Sequence, residues 1–162
     1  ARRYIGIDQN TGAIATTIHR LLNQSSAQSE ADCDSPLPGF SVHYTQAQIQ
    51  TMSQQEACIE FTVTREPPHL NIDYFNPVEL LSMIRDAGGE THDFRTYIES
   101  VLIDPQFDGA VFRPTIIDIA TRNRLINGHY HLPPATTWIR IWVTDILSNV
   151  YCKTVKTEAL QP

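Results

Sequence analysis

The sequence predicts an α+β chain that is mainly β: an antiparallel sandwich carrying one inserted helix, preceded by a short strand–helix unit. Three observations carry that expectation. Apolar residues alternate at Phe40, Val42 and Tyr44, at Ile59, Phe61 and Val63, and at Leu70, Ile72 and Tyr74, each a strand signal. Further apolar or alternating runs cover residues 98–103, 110–119, 136–147 and 150–155, with Asp108-Gly109, Asn127-Gly128 and Ser148-Asn149 between them as turns. Within this region only the stretch from Asn76 to Gly89 has helical spacing.

Taken in order, Tyr4-Ile5-Gly6-Ile7 is a short, almost entirely apolar run, the pattern of a strand covered on both faces. Thr11 suits the cap of a helix reaching about Gln24, with Ile14, Ile18, Leu21 and Leu22 on one face. Residues 25–39 are Ser-rich, acidic at Glu30, Asp32 and Asp34, and closed by Pro36 and Pro38. They read as a linker. Residues 40–162 then form the mostly β module. Its helix has concordant signals: Asn76 as N-cap, Pro77 at the first helical position and Glu79 completing a capping box. Leu80, Leu81 and Ile84 supply the buried face, and Gly88-Gly89 ends it.

Composition narrows the function classes. The 162 residues are 41% hydrophobic and 9% aromatic, too apolar for a disordered tail. Twelve basic residues against 18 acidic ones leave a net charge of −6, a poor basis for a stand-alone nucleic-acid binder. The charge is uneven: fourteen acids face three arginines between Glu30 and Asp108, whereas the chain from Thr115 onward is positive by two. Arg122 and Arg124 share a turn-rich loop, and Arg140 lies between Trp138 and Trp142 on one strand face. These three arginines are the DNA-contact candidates, of the kind that touch phosphate without reading sequence. No apolar run reaches the ~18 residues of a membrane span. Ala1-Arg2-Arg3-Tyr4 lacks the apolar stretch of a secretory signal. Three widely spaced cysteines fit a reducing compartment, so a cytoplasmic location is expected.

Several residues could carry chemistry. His129 and His131 flank Tyr130 on a strand, which points both imidazoles to one face in sensible metal geometry. A third ligand cannot be placed from sequence, a solvated strand face explains the pair equally well, and no metal is expected. Cys33, Cys58 and Cys152 read as ordinary free cysteines, and Asp104 and Asp108 as turn residues rather than a calcium loop. Phosphate-cradling glycine loops, the GxSxG elbow and the HExxH helix do not occur. No residue is assigned a catalytic role.

The stretch Arg2-Arg3-Tyr4-Ile5-Gly6-Ile7-Asp8, with the helix Ala13-Ile14-Ala15-Thr16-Thr17-Ile18 after it, resembles the second strand and following helix of bacterial site-specific DNA amino-methyltransferases. The resemblance implies that Asp8 bonds the ribose hydroxyls of S-adenosylmethionine, with Gln9 beside the adenosine, as acids at strand ends do in dinucleotide folds. That family also needs a glycine-rich loop one strand earlier, and a Pro-Pro-aromatic tetrapeptide that holds the flipped base. The nearest tetrapeptide here, Glu66-Pro67-Pro68-His69, departs at both variable ends and follows the cofactor strand. It reads instead as a turn. Residues 1–24 are thus expected to end a Rossmann-like methyltransferase domain, with the module appended to it and inactive alone. Within the module, Tyr130-x-x-Pro133 followed by residues 138–145 is similar to the last hairpin of PKD-type immunoglobulin-like domains. Residues 104–114 resemble accessory regions of bacterial DNA methylases. The resemblance therefore implies two alternatives. One is a C-terminal part of an S-adenosylmethionine-dependent DNA methyltransferase, adenine-N6 in type, that supports cofactor or DNA engagement. The other is an independent immunoglobulin-like binding module.

Overall fold

Alternating apolar residues from Ile59 to Phe75 form a hairpin, and the rest of the β-structure is built onto it. The structure is a computed structural model. It describes residues 58–90, 93–134 and 137–157, with residues 6, 7, 13, 14, 17, 18, 20, 21 and 43. Strand β1 (Ile59–Arg65) pairs antiparallel with β2 (Pro68–Phe75). Glu66 and Pro67 make the turn between them, as the Pro-Pro reading expects, and their peptide bond is cis.

The register of this hairpin shifts between Glu60 and Phe61, so that Asp73 has no residue opposite it on β1. One extra residue in a strand reverses the side-chain phase beyond it. Leu70 and Ile72 therefore face the core as their alternation predicts, but Tyr74 is 45% exposed and Phe75 takes the buried place.

Helix α1 (Val78–Asp86) starts one residue later than its capping signals indicate. Pro77, with φ −73° and ψ 92°, is the extended N-cap, and no side chain caps the helix. Leu80 is buried, with Leu81 and Ile84 packed against the core. Gly88, at φ +73°, ends the helix where a side chain would be strained. A turn of 3-10 helix (Phe94–Tyr97) follows, and the Asp93 carboxylate accepts the Arg95 N–H at its start.

The remaining strands are β3 (Ile98–Asp104), β4 (Ile116–Ile119), β5 (His129–His131), β6 (Trp138–Asp145) and β7 (Val150–Lys156). Residues 110–115 do not form the strand that the apolar run suggests, and Asp108-Gly109 is not a tight hairpin turn. The Asp108 carboxylate accepts the backbone N–H groups of Ala110 and Val111, which sets a local turn in place of strand pairing. Asp104 holds the far side of this loop by accepting N–H bonds from Gln106 and Arg113.

Among the described residues all the pairing is antiparallel. One sheet has the order β1-β2-β5 and the other β4-β3-β6-β7. The main core draws Leu70, Ile72 and Tyr130 from the first sheet, and Val101, Ile103, Ile139, Ile141 and Val143 from the second. Burying these side chains from both sheets together removes each apolar face from water. Lys153 of β7 donates to the carbonyl of Ile59 at 2.6 Å, linking the edge strands of the two sheets.

A second cluster lies on the opposite face of the four-stranded sheet, where Leu102, Phe112, Trp142, Val150 and Cys152 pack with Ile14 and Ile18. The described residues between positions 13 and 21 are helical. The helical face read from Ile14 and Ile18 thus packs on this sheet. Gly6 and Ile7, by contrast, are not in a strand, and Ile7 is 94% exposed. A run that is apolar on both sides needs flanking strands to cover it, and neither residue has them here. Strand signals at Phe40, Val42 and Tyr44, and the linker at residues 25–39, lie outside the described residues. Among the described residues, no helix is long and apolar enough to cross a membrane.

Candidate functional site

The outer face of the three-stranded sheet gathers three histidines. Because Leu70 and Ile72 point into the core, His69 and Asn71 lie on the outer side of β2, where Asn71 is half-buried and the His69 ring is buried against the rings of His129 and His131. Strand β5 is only three residues long, and Tyr130 fixes which way it faces. Its ring enters the core, its hydroxyl donates to Asp118 at 3.1 Å, and the same oxygen accepts the N–H of Gly128. Inward anchoring of Tyr130 turns His129 and His131 outward. Register then sets His131 opposite His69 and His129 opposite Asn71.

The imidazoles form a compact group. Ring centroids are 4.1 Å apart for His69 and His131, 4.6 Å for His69 and His129, and 6.0 Å for His129 and His131. Nδ1 of His69 bonds the Pro67 carbonyl at 2.9 Å, and Nδ1 of His129 bonds Oδ1 of Asn71. On β1, Thr62 donates to Asp73 and Thr64 donates to the Pro67 carbonyl. As the side chains stand, no three His, Cys, Asp or Glu groups among the described residues converge to hold a metal ion.

The buried carboxylates have different work. Asp118 accepts the N–H of Asn127 at 2.5 Å and the Tyr130 hydroxyl, and pairs with Arg124 at 2.9 Å. Asp145 is fully buried and accepts four bonds: the N–H groups of Leu147 and Asn149, the Asn149 amide and the Tyr151 hydroxyl. Asp104 and Asp108 both receive N–H donors as described above; Asp104 is buried, whereas Asp108 is exposed and also pairs with Arg113. The Arg113 guanidinium beside Asp108, together with those N–H donors, holds its carboxyl well below the usual carboxylate range.

Burial first, and then the neighbouring carboxylate, pushes two phenols well above the ordinary tyrosine value: Tyr130 beside Asp118 and Tyr151 beside Asp145. A phenol raised in the folded state adds stability that is complete below its unfolded value of about 10 and is lost as pH rises through the folded value. Ultraviolet titration is expected to show both phenols still protonated at about pH 11 in the folded chain. Tyr130→Phe and Tyr151→Phe variants assign the signals. Free ionisation of both near pH 10 without unfolding would contradict the burial.

The arginine candidates are not brought together. Arg122 is exposed in the turn closed by Thr121 and Arg124. Arg124 binds Asp118 and the Ile119 carbonyl. Arg140 lies over the Phe107 ring at 4.8 Å and donates to Sγ of Cys152 at 3.0 Å. Ile119 pairs with Ser100 on one flank of β3, whereas Arg140 pairs with Asp104 on the other. The strand length between those positions is about 13 Å. Arg124→Ala is accordingly expected to lower stability by about 1–2 kcal/mol, because it uncovers a buried carboxylate that keeps other donors. Arg122→Ala is expected to stay within about 0.5 kcal/mol of the parent in urea melts. Equal, negligible effects of both would release Arg124 from its structural role.

No protein-family model matches the chain, and no curated protein or solved structure matches it either. The cofactor candidates Asp8 and Gln9 lie outside the described residues. His69 and Asn71 are the site residues that sequence reasoning missed. Their place on the outer side follows from the Leu70 and Ile72 alternation, but their meeting with β5 depends on a pairing across about sixty residues.

Proposed function

We propose that this chain is a non-catalytic binding module that presents the outer face of its three-stranded sheet to a ligand. One observation carries the reading. Asp104, Asp118 and Asp145, the buried carboxylates among the described residues, all bind turn or tyrosine donors. The clustered imidazoles lie instead on the outer side of the sheet, His129 and His131 exposed there and His69 covered by them. Strand order supports an immunoglobulin-like module of PKD type. With β1–β7 lettered A to G, the sheets read A-B-E and D-C-F-G, the immunoglobulin arrangement with D moved to the edge beside C. Architecture of this kind hosts many functions, so the argument for binding rests on the face itself.

The test is chemical-shift mapping with duplex DNA, oligosaccharides and peptides, beside a methyl-transfer assay with labelled S-adenosylmethionine. Shifts concentrated on His69, Asn71, His129 and His131, with no methyl transfer, are the expected result. Methyl transfer by this chain would overturn the reading.

A second reading, a C-terminal part of an S-adenosylmethionine-dependent DNA amino-methyltransferase, is favoured by Ile7. This isoleucine, in the motif that resembles that family's cofactor strand, is left exposed where a parent sheet would cover it. Here Asp8 and Gln9 would contribute to the cofactor site only with the rest of the enzyme. The same mapping distinguishes it, because DNA would then shift Arg122, Arg124 and Arg140.

A further inference from the structure

We propose that Nε2 atoms of His69, His129 and His131 bind a divalent transition-metal ion of the zinc class on the outer face of the three-stranded sheet. The proposal rests on the reading of that face as the binding face, and it names the ligand.

Placement comes from the backbone. His69 and His131 are directly opposite across the β2–β5 ladder, where Cβ atoms lie about 4.5–5.5 Å apart. His129 is two residues from His131 and therefore on the same face. Two imidazoles on a tetrahedral ion at ~2.0 Å per bond bring their centroids about 5 Å apart. The observed separations of 4.1, 4.6 and 6.0 Å bracket that value. Position is therefore already suitable, and ring tilt is what differs: His69 and His129 stack at 26°, while His131 is tilted from them by 51° and 74°, so the three rings do not yet converge. His131 is exposed and can turn edge-on without disturbing the core, and His129, also exposed, needs only a change of ring tilt about its bond to Asn71.

The hydrogen bonds set which nitrogen is available. A carbonyl can only accept, so the bond to Pro67 puts the proton of His69 on Nδ1 and leaves the lone pair on Nε2. Oδ1 of Asn71 does the same for His129. Acceptors behind Nδ1 are the groups that orient and strengthen metal-ligating imidazoles. Three imidazole nitrogens with no carboxylate among them select zinc, copper or nickel over calcium or magnesium. Three protein ligands leave a fourth position open to solvent.

The experiment titrates the full chain with zinc chloride by calorimetry and records imidazole nitrogen spectra before and after saturation. One zinc ion per chain is expected, with the Nε2 signals of His69, His129 and His131 shifting together. His131→Ala and His129→Ala should each weaken binding at least tenfold with unchanged circular dichroism, while His43→Ala leaves it unaltered. Asn71→Ala should weaken it by about tenfold or more through the orientation of His129. Zinc affinity that is unchanged in His131→Ala, or Nε2 signals that do not move, would overturn the site. Absence of saturable binding would overturn it too, and would leave the binding-module reading to its own test, which fails on methyl transfer and not on zinc.

Discussion

Asp145→Ala is expected to destabilise the chain by about 3–5 kcal/mol, a large part of the ~5–15 kcal/mol that holds a domain of this size. The carboxylate is fully buried and fastens the β6–β7 turn to strand β7 by four hydrogen bonds. Alanine would remove the acceptor and leave two backbone N–H groups, an amide and a phenol to find other partners, each loss costing about 1–3 kcal/mol before water relieves it. Ser148, held at φ +66° in the same turn, would lose the bonds that keep it there. Asp145→Asn is expected to cost less, about 1–2 kcal/mol, because one oxygen still accepts the turn N–H groups. Urea melts of both variants measure the difference. A parent-like midpoint for Asp145→Ala would show that the turn does not depend on this carboxylate.

Trp142→Ala is expected to cost about 3–5 kcal/mol, and Ile18→Ala about 2–3 kcal/mol. Both side chains are buried in the cluster on the outer face of the four-stranded sheet. Phe112 lies 5.3 Å from the Trp142 ring, so alanine there opens a cavity with rigid walls. The double variant carries the stronger information. If the N-terminal helix and the sheet melt as one unit, the two losses should fall short of additivity by more than about 0.5 kcal/mol. Strict additivity would mean that the helix does not cover Trp142 in solution.

Most of the β-structure was legible because local alternation is strong. Ile59, Phe61 and Val63, and the 138–145 and 150–155 runs, mark strands that the fold contains. Three particulars were not legible, each for a physical reason. Asp73, with no residue opposite it on β1, reversed the phase at Tyr74, and a bulge has no signature in alternation alone. Apolar character from Ala110 onward suggested a strand, but Asp104 and Asp108 claim the backbone N–H groups of that loop. The histidine face needs His69 and His131 in register, and pairing between distant strands is set by the whole core. His129 and His131 were visible as a pair, and the third imidazole arrived only with the fold.

The path of the chain through both sheets has a further consequence. Among the described residues four strands precede the exposed turn at Arg122 and three follow it, yet neither sheet is built from one side alone. Strand β5 crosses back to β2, and β6 inserts beside β3. Cutting the backbone at Arg122 would sever one covalent link and leave every strand pair intact. The two fragments would stay interlocked like the fingers of clasped hands, since neither can cover its apolar face without the other.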